Sequence, residues 1–177
     1  MCKIETVRLR SIEPEDVDLI YEWENNPYNW FISETYQLYS KFMLELFVRE
    51  ARDYDMTISK QLRQMIDILE DGVVKTVGTL DLFEYNPIHR RAGIGIFVSE
   101  KYRGKGVGTK ALLQMVQYAR DILNLHQLHC TIAVTNNVSL ALFQNAGFKI
   151  TGTNKDWLIR AEKLTDVYFL QLLLQTK

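Results

Sequence analysis

Three glycines and three cations occur together in one short stretch of the chain, Arg103-Gly104-Lys105-Gly106-Val107-Gly108-Thr109-Lys110. Because glycine has no Cβ atom, it allows backbone N–H groups to approach a ligand closely. The first N–H groups of a helix lack intrahelical acceptors and carry a partial positive charge of roughly half a unit. Phosphate oxygens suit such donors. The stretch therefore predicts an anion-binding loop.

The loop must be positioned by a strand before it and a helix after it. The run Arg91–Val98 is apolar and rich in strand-forming residues, and apolar residues recur at helical spacing over about 106–123. A Walker A loop fails on residue order, because Gly108 is followed by Thr109-Lys110. Gly106-x-Gly108-x-x-Ala111 fits a dinucleotide fingerprint, but the strand ends about eight residues too early and no acid lies about twenty residues further on.

Alternation and turn signals predict the elements around this unit. The turn sequence Asp71-Gly72 predicts a hairpin. Helices are expected from Glu13 to about Glu24, in the later part of the aromatic-rich segment that follows a break at Asn25-Asn26-Pro27, and over Asn136–Ala146. Further strands are expected at Thr6–Arg10, Gln61–Leu69, Val73–Tyr85, His129–Thr135, Lys149–Thr153 and Asp166–Leu174. This order predicts a mixed sheet with helices on its faces, of the α/β or α+β class.

Composition fits one compact domain spanning residues 1–177, since 47% of the residues are hydrophobic and 24% are charged. Two cysteines give no disulfide framework, and the first twenty residues are too charged for a signal peptide, so we expect a cytoplasmic protein that does not enter a membrane. A pI near 6.3 argues against a nucleic-acid partner. Residues 1–55 carry 12 acidic and 6 basic side chains, which favours a cationic partner for that part.

The sequence resembles the GCN5-related N-acetyltransferase (GNAT) superfamily over nearly its whole length. The resemblance rests on Arg103-x-x-Gly106-x-Gly108, the family's acetyl-CoA pyrophosphate motif, and on Asn136-x-x-Ser139 followed by Asn145-Ala146-Gly147-Phe148. The start, Arg8-Leu9-Arg10 to Glu22-Trp23-Glu24-Asn25, and the ending Thr165-Asp166-Val167 look like the branch of ribosomal-protein and spermidine acetyltransferases. The resemblance implies a mostly antiparallel mixed sheet with helices on both faces and a splayed cofactor cleft.

The resemblance also implies where acetyl-CoA binds. The cofactor is expected between the strands at 92–98 and 129–135, with its pyrophosphate on the backbone amides of the loop and its pantetheine amides on the backbone near Phe97 and Val98. Asn136 is expected to contact the cofactor, with a helix N-cap role as the alternative. The implied cofactor residues are Phe97, Val98, Arg103, Gly104, Lys105, Gly106, Val107, Gly108, Thr109 and Asn136.

Two departures from the family pattern concern catalysis. Phe143 stands where the family often has a tyrosine that protonates the leaving thiolate. Ser139 lies one helical turn earlier on the same face, and its hydroxyl could protonate the leaving thiolate or only donate a hydrogen bond to the sulfur. A role at the start of the helix is the alternative for Ser139. The strand at 91–98 has no carboxylate for a base, which leaves Asp81, Glu84 or His89, or a water relay. Alternation predicts that Asp81 and Glu84 face opposite sides of their strand, and we favour Glu84.

The substrate is expected to contact the segment between the first helix and the second strand. Acids and aromatics there, Glu24, Trp30, Glu34 and Tyr36 among them, suit a cationic amine. The resemblance therefore implies an acetyl-CoA-dependent N-acetyltransferase, in which the amine of a polyamine, a protein N-terminus or a small molecule attacks the thioester carbonyl directly. It also implies a homodimer as a common state of the family. An acyl-CoA-binding module or sensor with little activity is the alternative. Residues His126, His129 and Cys130 lack the spacing of a metal site.

Overall fold

The computed structural model describes residues 4–33, 37–53, 55–160 and 162–174. These residues form one seven-stranded sheet with the strand order β1-β2-β3-β4-β5-β7-β6. Neighbouring strands are antiparallel except for β4 and β5, which are parallel. The strands are β1 Ile4–Ser11, β2 Leu62–Glu70, β3 Val73–Asn86, β4 Arg91–Val98, β5 Gln127–Ala133, β6 Lys149–Arg160 and β7 Lys163–Leu173. The mixed, mostly antiparallel sheet predicted from the sequence is confirmed.

The described helices are α1 Val17–Glu24, α2 Pro27–Ser33, α3 Lys41–Asp53, α4 Met56–Ser59, α5 Val107–Asp121 and α6 Asn137–Asn145. Short 3-10 turns at Pro14–Asp16 and Glu100–Tyr102 precede α1 and α5. None of these helices is long and apolar enough to cross a membrane.

The two faces of the sheet are covered by different helices. On one face, α5 buries an apolar side that comprises Val107, Ala111, Leu112, Met115 and Ala119. These residues pack in the main core with alternate residues of the strands, such as Leu80, Leu82 and Leu128. On the other face, α1 and α3 form a smaller core with Met65 of β2. Helices therefore lie on both faces, as predicted.

The sequence prediction differs from the structure at several boundaries. The break predicted at Asn25-Asn26-Pro27 is present between α1 and α2, but Pro27 already begins α2, because a proline at the first helical position loses no intrahelical hydrogen bond. The short α4 was not predicted. Strand β5 begins and ends two residues earlier than expected. Strand β6 continues to Arg160, although its pairing with β7 is irregular between Asn154 and Leu158 and its alternation is therefore obscured.

Candidate active site

Strands β4 and β5 pair at one end and separate at the other. Their register covers three pairs, the last joining Gly93 to His129. On its other side β4 stays paired with β3 as far as Val98. The stretch of β4 from Ile94 to Val98 therefore faces an opening on its β5 side. This opening has the position of the splayed cleft that the family resemblance implies.

The glycine loop lies between β4 and α5. Gly104 and Gly106 have φ angles of +71° and +77°, in the left-handed region that favours glycine. Gly106 is the N-cap of α5, and its carbonyl accepts a hydrogen bond from the N–H of Lys110. The N–H groups of the first three helical residues, 107–109, precede this bond and have no intrahelical acceptor. The loop therefore presents amides in the way an anion requires.

The cations of the loop lie against aromatic rings. The Arg103 guanidinium is 5.8 Å from the Phe97 ring centre, and its Nε donates to the Val98 carbonyl at 2.7 Å. Lys101 and Lys105 lie 5.6 and 5.2 Å from the Tyr102 ring. Arg103 thus ties the loop to the end of β4 through Phe97 and Val98, the two residues near which the pantetheine amides are expected.

Helix α6 approaches the loop from the β5 side. A Cβ atom on Gly108 would lie 3.5 Å from the Leu142 side chain, so the start of α5 packs on α6. The Asn136 Oδ1 accepts a hydrogen bond from the Ser139 N–H at 3.2 Å, so Asn136 has the N-cap role named as its alternative. Ser139 is half-buried in the first turn of the helix. Phe143 is buried against Phe148, with ring centres 5.1 Å apart, and is a core residue here.

A cavity of about 660 Å³ opens on the sheet face opposite α5. Thr79 and Asp81 of β3 line it and alternate with the core residues Leu80 and Leu82. Five aromatic residues, Trp23, Phe83, Phe97, Trp157 and Phe169, contribute to its wall. Its charged lining residues are Glu24, Asp81, Glu84 and Arg63. With His129 neutral, this cavity, here called the acceptor cavity, has a net charge of −2.

Arg63 links two of these carboxylates. Its Nη1 donates to Glu24 Oε1 and its Nε to Asp81 Oδ1, both at 2.7 Å, and its guanidinium lies 5.2 Å from the Phe47 ring. Burial lowers the pKa of Arg63, but the charges of Asp81 and Glu24 outweigh that effect and raise it above its ordinary value. Arg63 therefore stays charged and holds the end of α1 against β2 and β3.

The prediction that Asp81 and Glu84 face opposite sides is wrong. Both side chains line the acceptor cavity. The pairing of β3 with β4 shifts register between Phe83 and Asn86, and Glu84 has a φ of +51°. A bulge of this kind interrupts alternation and redirects a side chain. The Glu84 side chain remains 74% exposed at the cavity rim.

His129 is a lining residue that sequence reasoning considered only as a metal ligand. Its ring stacks on Phe169 at 5.5 Å and meets the edge of Phe83 at 6.3 Å. Its Nε2 lies 3.9 Å from Glu84 Oε2. Burial lowers the pKa of His129; the charge of Glu84 raises it and that of Arg91 lowers it, and the net shift is downward. No local signal in the sequence indicates this position, because His129 reaches the cavity at the point where the pairing of β4 with β5 ends.

Several residues predicted for substrate binding or catalysis are not among the described residues that line the acceptor cavity. The Trp30 Nε1 donates to the Glu24 carbonyl at 2.7 Å, and Trp30 is not among the lining residues of the acceptor cavity. Glu34 and Tyr36 lie outside the described residues. His89 is exposed and lies outside the lining of the cavity. In the described part of the chain, no group of three His, Cys, Asp or Glu residues could hold a metal ion.

Comparison with known proteins agrees with this geometry. The model of the acetyltransferase (GNAT) domain matches residues 6–149. The spermidine N(1)-acetyltransferase of Escherichia coli K12 is 30% identical over 149 residues, which are 83% of this chain and 75% of that one. YdaF of Bacillus subtilis 168, named as a candidate ribosomal N-acetyltransferase, is 28% identical over 97% of this chain and 94% of its own.

The fold comparison gives the same result. The crystal structure of spermidine N-acetyltransferase from Vibrio cholerae in complex with CoA and spermine superposes with a TM-score of 0.83 at 25% identity, over 94% of this chain and 95% of that one. The chain belongs to the GNAT family of acetyltransferases and is an acetyl-CoA-dependent N-acetyltransferase.

Proposed function

We propose that the acceptor of this enzyme is a linear polyamine of the spermidine type. The proposal rests on the lining of the acceptor cavity, which combines three carboxylates and one guanidinium with five aromatic rings. Ammonium groups are stabilised both by carboxylates and by the faces of aromatic rings. A molecule with several ammonium groups uses more of this lining than a monoamine does. The spermidine acetyltransferases among the relatives support the same acceptor class.

The proposal assigns the two substrates to opposite faces of the sheet. Acetyl-CoA would place its pyrophosphate on the amides of residues 103–109 and its pantetheine arm along Phe97 and Val98. Ser139, on α6, would hydrogen-bond the departing sulfur, while Asn136 holds the start of that helix. The amine would enter from the acceptor cavity, whose wall includes Glu24 and Glu84. The two meet where β4 and β5 separate.

The test is the release of free CoA thiol from acetyl-CoA over a panel of amines. We expect kcat/KM for spermidine to exceed that for butylamine at least tenfold, because tenfold corresponds to about 1.4 kcal/mol and a second ammonium contact is worth about that much. Peptides with a free N-terminus should react more slowly still. Efficient acetylation of a peptide, with no thiol release in the presence of spermidine, would refute the polyamine assignment.

A cavity variant sharpens this test. Glu24→Gln reduces the net charge of the acceptor cavity from −2 to −1 and keeps the side-chain size. We expect kcat/KM for spermidine to fall about five- to tenfold and that for butylamine to change less than twofold. Equal losses for both amines would indicate a general disturbance of the cavity, so the melting temperature and the acetyl-CoA affinity are measured alongside.

We propose that residues 1–177 act as one N-acetyltransferase domain in the cytoplasm and that the chain self-associates. The relative from Vibrio cholerae has been solved as a dodecamer, which supports self-association of this chain. Light scattering during size-exclusion chromatography measures the state directly.

A further inference from the structure

We propose that His129 is the catalytic base that removes a proton from the acceptor ammonium, and that Glu84 stabilises the imidazolium that results. The inference rests on the proposed entry of the amine through the acceptor cavity, although it does not require the amine to be a polyamine. Strand β4, which borders the site, has no carboxylate that could act as a base. His129 on β5 would take that role.

The position of His129 is set by the sheet. It is the last residue of β5 that pairs with β4, opposite Gly93. A cofactor held by the loop after Val98 has to extend back along β4 to reach this point, a length of about 17 Å at the rise of a strand. The Phe83 ring covers Gly93 so closely that a Cβ atom there would be 2.2 Å from it. The two substrates are proposed to meet where β4 and β5 separate, and His129 stands at that point because the pairing of the two strands ends there.

The surroundings of the imidazole suit a base. The ring is held between Phe169 and Phe83, which fixes its orientation, and the side chain is 15% exposed. The charged groups that face it are Glu84 on β3 and Arg91 on β4, and the net lowering of its pKa, chiefly by burial, favours the neutral imidazole. The lining residues that β6 and β7 contribute, Asn154, Trp157 and Phe169, carry no charge. A base must be unprotonated before it can accept the proton of the substrate.

The other ionisable residues of the cavity are less suited to this task. Asp81 accepts a 2.7 Å hydrogen bond from the Arg63 guanidinium, so its carboxylate already has a charged partner. Glu84 is largely exposed, and its carboxylate is therefore solvated rather than held inside the cavity. Its carboxylate lies 3.9 Å from His129 Nε2, between the imidazole and bulk water. Glu84 can therefore stabilise a proton on His129 and pass it to solvent.

The reaction transfers the acetyl group directly from sulfur to nitrogen. His129 Nε2 takes one proton from the ammonium R–NH₃⁺, which leaves a neutral amine with a free electron pair. The amine nitrogen forms a bond to the thioester carbonyl carbon, and the C–S bond then breaks with its electron pair on sulfur. The nitrogen loses its second proton, which the thiolate gains. The proton on His129 leaves through the solvated rim at Glu84. The products are the acetylated amine, CoA thiol and one proton released to water.

The experiment compares His129→Gln with the matched control His126→Gln, because His126 is exposed and does not line the cavity. We expect His129→Gln to lower kcat at least 100-fold, in the range typical of a lost general base, while the acetyl-CoA Kd stays within twofold. The acidic limb of the plot of kcat/KM against pH should disappear. A wild-type acidic limb in His129→Gln, with kcat within threefold, would overturn the proposal.

A second variant tests the role of Glu84. Because the Glu84 carboxylate raises the pKa of His129, Glu84→Gln should move the acidic limb to lower pH and reduce kcat less than His129→Gln does. An acidic limb at unchanged pH would contradict the pairing of the two residues.

A spectroscopic measurement separates this proposal from the polyamine assignment. The chain has three histidines, and an NMR titration of their rings gives the pKa of His129 without any acceptor. We expect the pKa of His129 to be below its ordinary value of about 6.5 and to be lower still in Glu84→Gln. The resonance whose pKa falls in Glu84→Gln is thereby assigned to His129, even if His129→Gln does not fold. A pKa far above the assay pH, which would leave the imidazole protonated, would overturn the base assignment. If spermidine fails as a substrate, the kinetic comparison is made with whichever amine reacts, and His129 is still tested.

Discussion

Gly106 combines an unusual backbone conformation with free space around it. Its φ is +77°, yet a Cβ atom would have no other atom within 4 Å. Alanine there should therefore cost only the strain of the left-handed region, about 1–2 kcal/mol in the free energy of unfolding. We expect Gly106→Ala to weaken acetyl-CoA binding at least tenfold, measured by calorimetry, because relaxing that strain turns the amides of residues 107–109 away from the pyrophosphate.

Gly72 provides the matched control. It has a φ of +76° and equally open surroundings, but it lies in the hairpin turn between β2 and β3. Gly72→Ala should lose the same stability and keep the wild-type affinity for acetyl-CoA. An unchanged affinity in Gly106→Ala would show that the cofactor does not use this loop.

The sequence predicted the loop residues of the site better than the catalytic ones. Glycines at positive φ and amides at a helix start leave a local pattern, so Gly104 and Gly106 could be found from spacing. Glu84 and His129 come together only because β3 has a bulge and β5 leaves β4 at this level, and both facts depend on strand pairing. Phe143 shows the same limit, since its burial against Phe148 is a tertiary contact.

At the scale of elements, a buried ionic network joins β1, β2 and β3 to the turn before α1. Arg10 donates to both oxygens of Asp16 at 2.7 Å and to Asp67 at 2.9 Å, and Thr76 donates to Asp67 at 2.8 Å. Asp67 is 4% exposed. Burial alone raises the pKa of Asp67, but the hydrogen bonds from Thr76 and Arg8 and the charge of Arg10 leave it below its ordinary value.

This network predicts how stability depends on pH. Because the pKa of Asp67 is lower in the folded state, its contribution is complete well above 3.8, the ordinary value, and is lost as the pH falls through the folded pKa. We expect Asp67→Asn to cost about 1.5–3 kcal/mol at pH 7, the worth of hydrogen bonds to a charged group. Its free energy of unfolding, measured with urea, should then change less than that of the wild type below pH 5.

Asp71→Asn removes the same charge from an exposed turn and keeps a turn sequence suited to the hairpin. It should leave the stability and its pH dependence close to wild type. If Asp67→Asn and the wild type lose stability in parallel on acidification, another carboxylate is responsible.

At the scale of the whole molecule, the sequence predicted the order of the elements and missed details of their ends. Local alternation and turn residues, such as Asp71-Gly72, were sufficient for β2, β3 and β4. The later strands were harder, because β6 owes its length to pairing with β7 and carries an irregularity between Asn154 and Leu158. At the acceptor cavity, strand order brings together segments that are distant in the sequence. The local alternation of residues cannot predict such contacts.

The division of the two substrates between opposite faces predicts the order of chemistry. Acetyl-CoA and amine would meet at the sheet without an acetylated enzyme between them. Cys130, the one cysteine among the described residues, is buried in the main core. Burial raises its pKa to about 12, so it offers almost no thiolate to attack the thioester.

We therefore expect both substrates to be bound before either product leaves. Initial rates at several concentrations of both should give double-reciprocal lines that intersect, and Cys130→Ala should keep kcat within about twofold. Parallel lines, or radioactive acetyl groups retained on the protein after incubation with labelled acetyl-CoA alone, would instead require a covalent intermediate and a nucleophile other than the groups assigned to this site.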